Sequence, residues 1–342
     1  MSAQNGSDHY AAELYSGGPY FDQLTQGQVF DEAPAVTLTS GLAATHQAIF
    51  GDRMQLSLDA HLSTAVTGSA APVSNPGLVT DIAIGQSTVV THHVKANLFY
   101  RGLRFHKVPR SRRHPVHPNR DGRTARNSSK PGRAPTGLAA LRMTPTDQNG
   151  NTVLDFYRCA MLPLSGNPDD GRTRHDDDLS SIGPDALAPF ATPREWNLDA
   201  YRNKVPGTHF EPAPVGSIHR SSGDVVSSAP ELARLSLNSA ATHHDERVGA
   251  HGRLVYGGHT IGIALAQATR ALPNLVTVLG WHSCDHTGPV HEGDTLTSEL
   301  HVESAIPLEH GTAVELRSLV FSHNSTATDT PVLDWRFTAL MA

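Results

Sequence analysis

The sequence predicts an α+β protein made of two copies of one unit, a buried helix followed by strands, and three observations lead there. The chain has 342 residues, more than one typical domain needs, so two domains with separate cores are expected. Val153 to Leu162 reads VLDFYRCAML and the C-terminal Val332 to Met341 reads VLDWRFTALM. Both open Val-Leu-Asp-aromatic and end on small and apolar residues, as buried terminal strands do. Third, GDRMQLSLD (Gly51 to Asp59) has the frame of LNSAATHHD (Leu237 to Asp245).

Taken in order, PGLVTDIAIGQS follows the first polar segment and GRLVYGGHTIGIALAQATRAL the second. Each enters a helical pattern of small residues. In the second, Ile261, Ile263, Ala264, Leu265 and Ala268 leave almost no polar face, which predicts a buried central helix. STVVTHHVKANLFY in the first half, and DTLTSELHVES and GTAVELRSLVFSH in the second, are rich in β-branched residues with partial alternation and read as strands. PLSGNPDDGRTRHDDDLSSIGPDALAPFATP has linker composition. The units are therefore bounded at 18–162 and 207–342, with 163–206 between them.

Composition excludes several classes. The 38% hydrophobic and 18% charged fractions suit a globular chain, and 29 Gly with 23 Pro predict many turns. A net charge of −6 argues against a nucleic-acid partner, which would call for a basic surplus. Cys159 and Cys284 are read as free thiols of a reducing compartment. The N-terminus lacks a basic region followed by an apolar one, and no apolar run reaches membrane-spanning length, so a cytoplasmic location without a membrane span is expected.

The repeat sorts the polar residues of LNSAATHHD. Asp52 answers Asn238, Ser57 answers His243, Leu58 answers His244 and Asp59 answers Asp245. Because Ser57 stands opposite His243, the fold does not require an imidazole there, and His243 becomes the candidate base. Asp59 and Asp245 agree and are read as structural. His244 falls opposite a leucine and is read as a packing residue.

Asn238-x-x-x-x-His243-x-Asp245, then Val255-Tyr256-Gly257-Gly258, then Gly293-Asp294-Thr295-Leu296, in that order and spacing, resemble the MaoC-like acyl dehydratases, the (R)-specific enoyl-CoA hydratases, in tandem double-hotdog form. The resemblance covers most of the chain. It implies a double hotdog, in which antiparallel sheet wraps each central helix, and interconversion of a 2-enoyl-CoA with an (R)-3-hydroxyacyl-CoA without metal or cofactor. In that family an Asp and a His five positions apart activate water, and the matching residues here are Asn238 and His243. An amide orients water but is no carboxylate base; members of the mesaconyl-CoA hydratase type look similar in having Asn there. The resemblance assigns His243 as base and acid, Asn238 to the water and Gly258 as backbone oxyanion donor at the head of the central helix. The first unit, with Ser57 in place of a base, is expected to be non-catalytic and to shape the acyl pocket. An acyl-CoA thioester is the expected partner, and a homodimer remains open. A catalytically impaired acyl-CoA-binding protein, or a thioesterase on the same fold, is the alternative.

Three further segments draw attention. His282, Cys284 and His286 alternate as metal ligands on one strand face would, yet lack a fourth ligand, and no metal is assigned. GGHTIG lacks the Lys-Ser/Thr of a phosphate loop. Residues 101 to 133 carry eleven Lys and Arg against Asp121 alone and read as a solvated loop, with RNA or CoA phosphates as conceivable ligands. Reading the codons of Arg110 to Arg126 one base later, with Arg as CGN and Ser as TCN, permits Gly-Asp-Thr-Leu across Arg112 to Val116, matching the tetrapeptide at Gly293. A compensated frameshift that replaced a strand of the first unit between about 110 and 126 is therefore the hypothesis, and the DNA sequence tests it: codons that exclude the shifted reading sink it.

Overall fold

A computed structural model describes residues 17–107, 118–127, 134–166, 177–184, 193–205, 214–248, 252–324 and 327–342. The elements are α1 (Ser40–Phe50), α2 (Gln55–Leu58), α3 (Ala60–Thr67), α4 (Pro76–Gln86), β1 (Ala96–Phe105), β2 (Pro118–Arg126), β3 (Thr136–Met143), β4 (Leu154–Pro163), α5 (Leu198–Lys204), β5 (Ile218–Arg220), β6 (Asp224–Val225), α6 (Ala229–Leu235), α7 (Gly257–Ala271), β7 (Leu275–His286), β8 (Thr295–Pro307), β9 (Thr312–Asn324) and β10 (Ala327–Met341). The strands join in one antiparallel sheet of order β2-β3-β4-β1-β7-β10-β9-β8-β5, with β6 also on β8.

The order exposes the duplication. In each half the first strand pairs with the fourth, the fourth with the third and the third with the second, so β1 to β4 answer β7 to β10. The halves join where β1 meets β7, with Tyr100 opposite Cys284 and Leu103 opposite Trp281. One core runs through both: Tyr100, Leu103 and Phe156 cluster with Trp281, Trp335 and Phe337. Antiparallel pairing lets one sheet face bury its side chains on helices while the other meets solvent.

Two helices fill the concave side. Asn75 caps α4 by accepting from the Gly77 N–H at 2.7 Å, and Pro76 opens it. Ten of its eleven residues are buried, so it is central and not peripheral. The five apolar positions expected to bury α7 all do so, at 4% exposure or less. Glycines let α7 approach its neighbours closely: a Cβ on Gly258 would fall 2.1 Å from Asp81 Oδ1 of α4, and one on Gly262 2.4 Å from the Phe50 ring of α1.

Three expectations change. Ser87 to Val94 does not begin a strand; Ser87 to Val89 forms a 3-10 turn and β1 starts at Ala96. The Ser87 and Thr88 hydroxyls donate to the Ile84 and Gly85 carbonyls, closing α4 where β-propensity alone asked for extension. A strand does exist over Pro118–Arg126, paired to β3 with a register break between Asn119 and Arg123, so the expected loss of a strand does not hold for that stretch; 108–117 lie outside the described residues. Third, a register shift at His282 breaks the alternation of the three candidate metal ligands. His282 hydrogen-bonds Thr338 Oγ1 at 2.9 Å, whereas Cys284 is buried in the core.

Between the halves, β4 ends at Pro163, α5 packs beside α3, and β5 begins at Ile218. Among the described residues no helix is long and apolar enough to cross a membrane, Cys159 and Cys284 are free and buried, and no cluster suits a metal ion. Described members of the basic run pair locally, Arg101 with Asp285 at 2.7 Å and Arg123 with Ser181 Oγ at 2.7 Å.

Candidate active site

A cavity of about 380 Å³ opens where the C-terminal end of α4 and the start of β1 meet the head of α7 and the end of β7. Asn238 and His243 both line it, so two residues chosen from the repeat come together. They are placed by the short segment between α6 and α7. Leu237 adopts a left-handed φ of 59°, a conformation that costs a non-glycine residue about 1 kcal/mol or more and re-aims the chain just before Asn238. Asn238 Oδ1 then accepts the Ala240 N–H at 3.0 Å, and Ala241 to His243 make a 3-10 turn.

The first half contains the same turn: Asp52 Oδ1 accepts the Met54 N–H at 2.6 Å. Asp52 and Asn238 are thus equivalent in geometry as in frame. Asp59 and Asp245 likewise accept the N–H two residues on, from His61 and Arg247, which supports their structural reading. His244 departs from its expectation. Leu58, its counterpart, is 48% exposed and marks no apolar slot, and His244 Nε2 donates to the Asn238 carbonyl, bracing the turn.

His243 Nδ1 lies 2.9 Å from the Leu254 carbonyl. A carbonyl only accepts, so Nδ1 carries the hydrogen and Nε2 keeps its lone pair. Burial lowers the imidazole to a pKa of about 4, opposed by the Leu254 bond and assisted by His244 and the Arg158 cation. At neutral pH the ring is therefore an uncharged proton acceptor. Asn238 is 3% exposed; its oxygen accepts the Ala240 N–H, and its amide NH2 is the donor it offers a ligand.

The head of α7 supplies backbone donors. No side chain caps it, and the first N–H groups of a helix have no intrahelical acceptor. Gly257 lines the cavity, beside the His286 imidazole, which a Cβ there would meet at 2.6 Å. Gly258, the residue expected as donor, is absent from the lining, because its Cα is closed off by Asp81 and the Tyr256 ring. Behind it Asp81 is held by His46 at 3.1 Å, a buried pair outside the cavity, and burial raises the Asp81 pKa.

The first unit is expected from the sequence to shape the acyl pocket, but sequence reasoning does not pick out the residues by which it reaches the cavity. Asn97 and Tyr100 from β1 and Arg158 from β4 line the cavity, as does His286 from β7. The repeat held a signal for Arg158, since VLDFYRCAML and VLDWRFTALM set it opposite Phe337.

Fold and site together define a double-hotdog protein, and the chain is similar to CoA-thioester hydratases and dehydratases of the MaoC type. A conserved hypothetical protein of Mycobacterium tuberculosis with a double hotdog fold is 57% identical, at a TM-score of 0.90 over 96% of this chain and 100% of that one. β-Methylmalyl-CoA dehydratase of Chloroflexus aurantiacus is 26% identical over 85% of this chain and 84% of its own length. Mesaconyl-CoA hydratase of Cereibacter sphaeroides is 24% identical over 91% of both. A MaoC domain dehydratase structure from Chloroflexus aurantiacus shares the fold, with a TM-score of 0.82 at 22% identity over 96% of this chain and 99% of that one. No protein-family model matches the chain.

Proposed function

We propose that the protein adds water to, or removes it from, a CoA thioester, interconverting a 2-enoyl-CoA and an (R)-3-hydroxyacyl-CoA. The observation that carries this is the lone pair of His243 Nε2, fixed by the Leu254 carbonyl in the same cavity as the Asn238 amide. In the hydration direction Asn238 Nδ2–H donates to the water oxygen while Nε2 removes one water proton. The oxygen bonds to C3, the C2–C3 π electrons move toward the thioester carbonyl, and the developing enolate oxygen is held by N–H groups of the first turn of α7. His243 then returns the proton to C2, so water is added without loss of CoA.

Incubating the protein with a short 2-enoyl-CoA should lower the enoyl absorbance with no release of free thiol, and chiral analysis should return the (R)-alcohol. Thiol release instead would establish a thioesterase, and acyl-CoA binding with neither signal would leave a binding protein. Asn238→Ala should lower kcat/KM for hydration about 10- to 100-fold, since it removes one charge-neutral hold on the water and leaves the base. An unchanged kcat/KM would remove Asn238 from the reaction.

The pH dependence has a definite sign. His243 works as the neutral base, and its pKa of about 4 lies below the ordinary 6.5. The acid limb of kcat/KM should therefore lie near pH 4, with activity constant through pH 6.5 and falling as the ring gains a proton below it. Tryptophan fluorescence recorded on the same samples separates this limb from acid unfolding. A limb at 6.5 in the folded protein would contradict the buried, neutral imidazole.

A further inference from the structure

A second cavity meets the first at His243. It measures about 190 Å³ and has five wall residues in common with the first, His243 and Tyr256 among them. Among the described residues its other walls are Ala229, at the start of α6, and three charged side chains, Glu246, Arg253 and Glu292. Glu246 and Glu292 are exposed, so the cavity opens to solvent on their side. Its outer wall is tied in place: Arg253 Nη2 donates to Glu292 Oε2 at 2.9 Å, and the Ala229 N–H donates to Glu292 Oε1 at 3.3 Å.

The two cavities differ in what they admit. The first has Lys95 and Arg158 in its wall and no Asp or Glu among the described residues, a field that attracts the phosphates of an acyl-CoA. The second has two carboxylates to one cation, a field that disfavours an anionic ester. Water suits it better. A water molecule takes about 30 Å³ in the liquid and needs two to four polar partners, so the second cavity has room and hydrogen-bonding groups for several.

Turnover needs such a place. Hydration consumes a water molecule beside His243 and dehydration produces one there. An acyl-CoA enters by the first cavity, whose exposed rim includes Lys95, Thr287 and Pro289, and its pantetheine arm then fills that way to bulk solvent. Water must pass the arm or take a separate route. We propose that the second cavity is the water passage of the reaction, bringing water to His243 for hydration and carrying it off in dehydration while the CoA ester stays bound. Ala229 and Glu246 line this passage without lining the first cavity, so they can be changed without touching the acyl-CoA site.

The assignment rests on the hydratase reading, and isotope exchange at equilibrium separates the two. In oxygen-18 water, the wild type should bring the label into a short 3-hydroxyacyl-CoA about 3- to 10-fold faster than it interchanges labelled acyl groups between the enoyl and hydroxyacyl pools. A bound enoyl ester that leaves slowly meets fresh water several times before release. Filling the passage with Ala229→Met, or covering its rim with Glu246→Trp, should bring that ratio to about one, with acyl interchange and acyl-CoA affinity within about twofold of wild type. A ratio of one in the wild type overturns the passage. So does a ratio that stays high in both variants, because water would then be moving past the pantetheine arm. If the enoyl and hydroxyacyl pools do not interchange at all, the hydratase reading has failed and the passage with it. Ala229 is buried; should its variant not fold, the wild-type ratio and the exposed Glu246→Trp decide the matter.

Discussion

His243→Ala is expected to lower kcat/KM for enoyl-CoA hydration about a thousandfold, the range typical for removing a positioned general base. The loss should fall on kcat. His243 takes the water proton and returns it to C2, whereas the thioester is held by the head of α7 and the cavity walls, so KM should move little. The tautomer supplies a sharper check. Leu254 offers only a carbonyl to Nδ1, so His243→Gln, which can donate there but offers no basic nitrogen, should be as inactive as the alanine variant while keeping wild-type thermal stability more closely. Activity equal to wild type in either variant would take His243 out of the mechanism. Since burial holds the ring neutral, added imidazole should rescue the alanine variant in proportion to its unprotonated fraction.

Gly258→Ala is expected to destabilise the protein by about 2 kcal/mol, the cost of overpacking a filled interior. Its Cβ would fall 2.1 Å from Asp81 Oδ1 and 2.6 Å from the Tyr256 ring. Neither neighbour yields readily. Asp81 is held by His46 at 3.1 Å, and the Tyr256 hydroxyl donates to the Asp81 carbonyl at 3.2 Å. The strain would be relieved by moving the head of α7, so hydration should fall with stability, more in kcat than in KM. Gly41→Ala is the matched control: it also sits in the first turn of a helix, but its Cβ meets only Thr39 Oγ1, at 3.7 Å. There the better helix propensity of alanine should leave stability equal or slightly higher. Urea midpoints with unchanged slopes measure both, and equal midpoints for the two variants would mean that α4 and α7 are not as tightly opposed as the structure has them.

The duplication was legible because hydrophobic period and turn chemistry are local. The two Val-Leu-Asp-aromatic strands, the two small-residue helices and the two turns at Asp52 and Asn238 each needed only a few adjacent residues to declare themselves. Comparing the copies then separated His243 from Asp245, since a residue both halves keep serves the fold and one that differs is free for something else. The same comparison misled at His244, where leucine implied burial but Leu58 is 48% exposed. At Arg158 the copies also differ, with Phe337 opposite. Residues 87 to 94 were misread because β-branched side chains favour strands, while hydroxyl bonds back to the Ile84 and Gly85 carbonyls favour closing a helix.

By itself the sequence determined two helix-and-strand units, their buried helices, and a polar segment in the second unit with a histidine where the first has serine. These follow from spacing along one chain. Only the tertiary structure decided that β1 joins β7, and therefore that the cavity has one wall from each half. It also decided that His243 loses its charge to burial, that Gly257 and not Gly258 meets the cavity, and that the Arg158 cation lies there with no carboxylate beside it among the described residues. Desolvation and electrostatic pairing depend on which distant segments surround a group. Arg158 and His243 are 85 residues apart in the chain, and no pattern of neighbours records that they share one site.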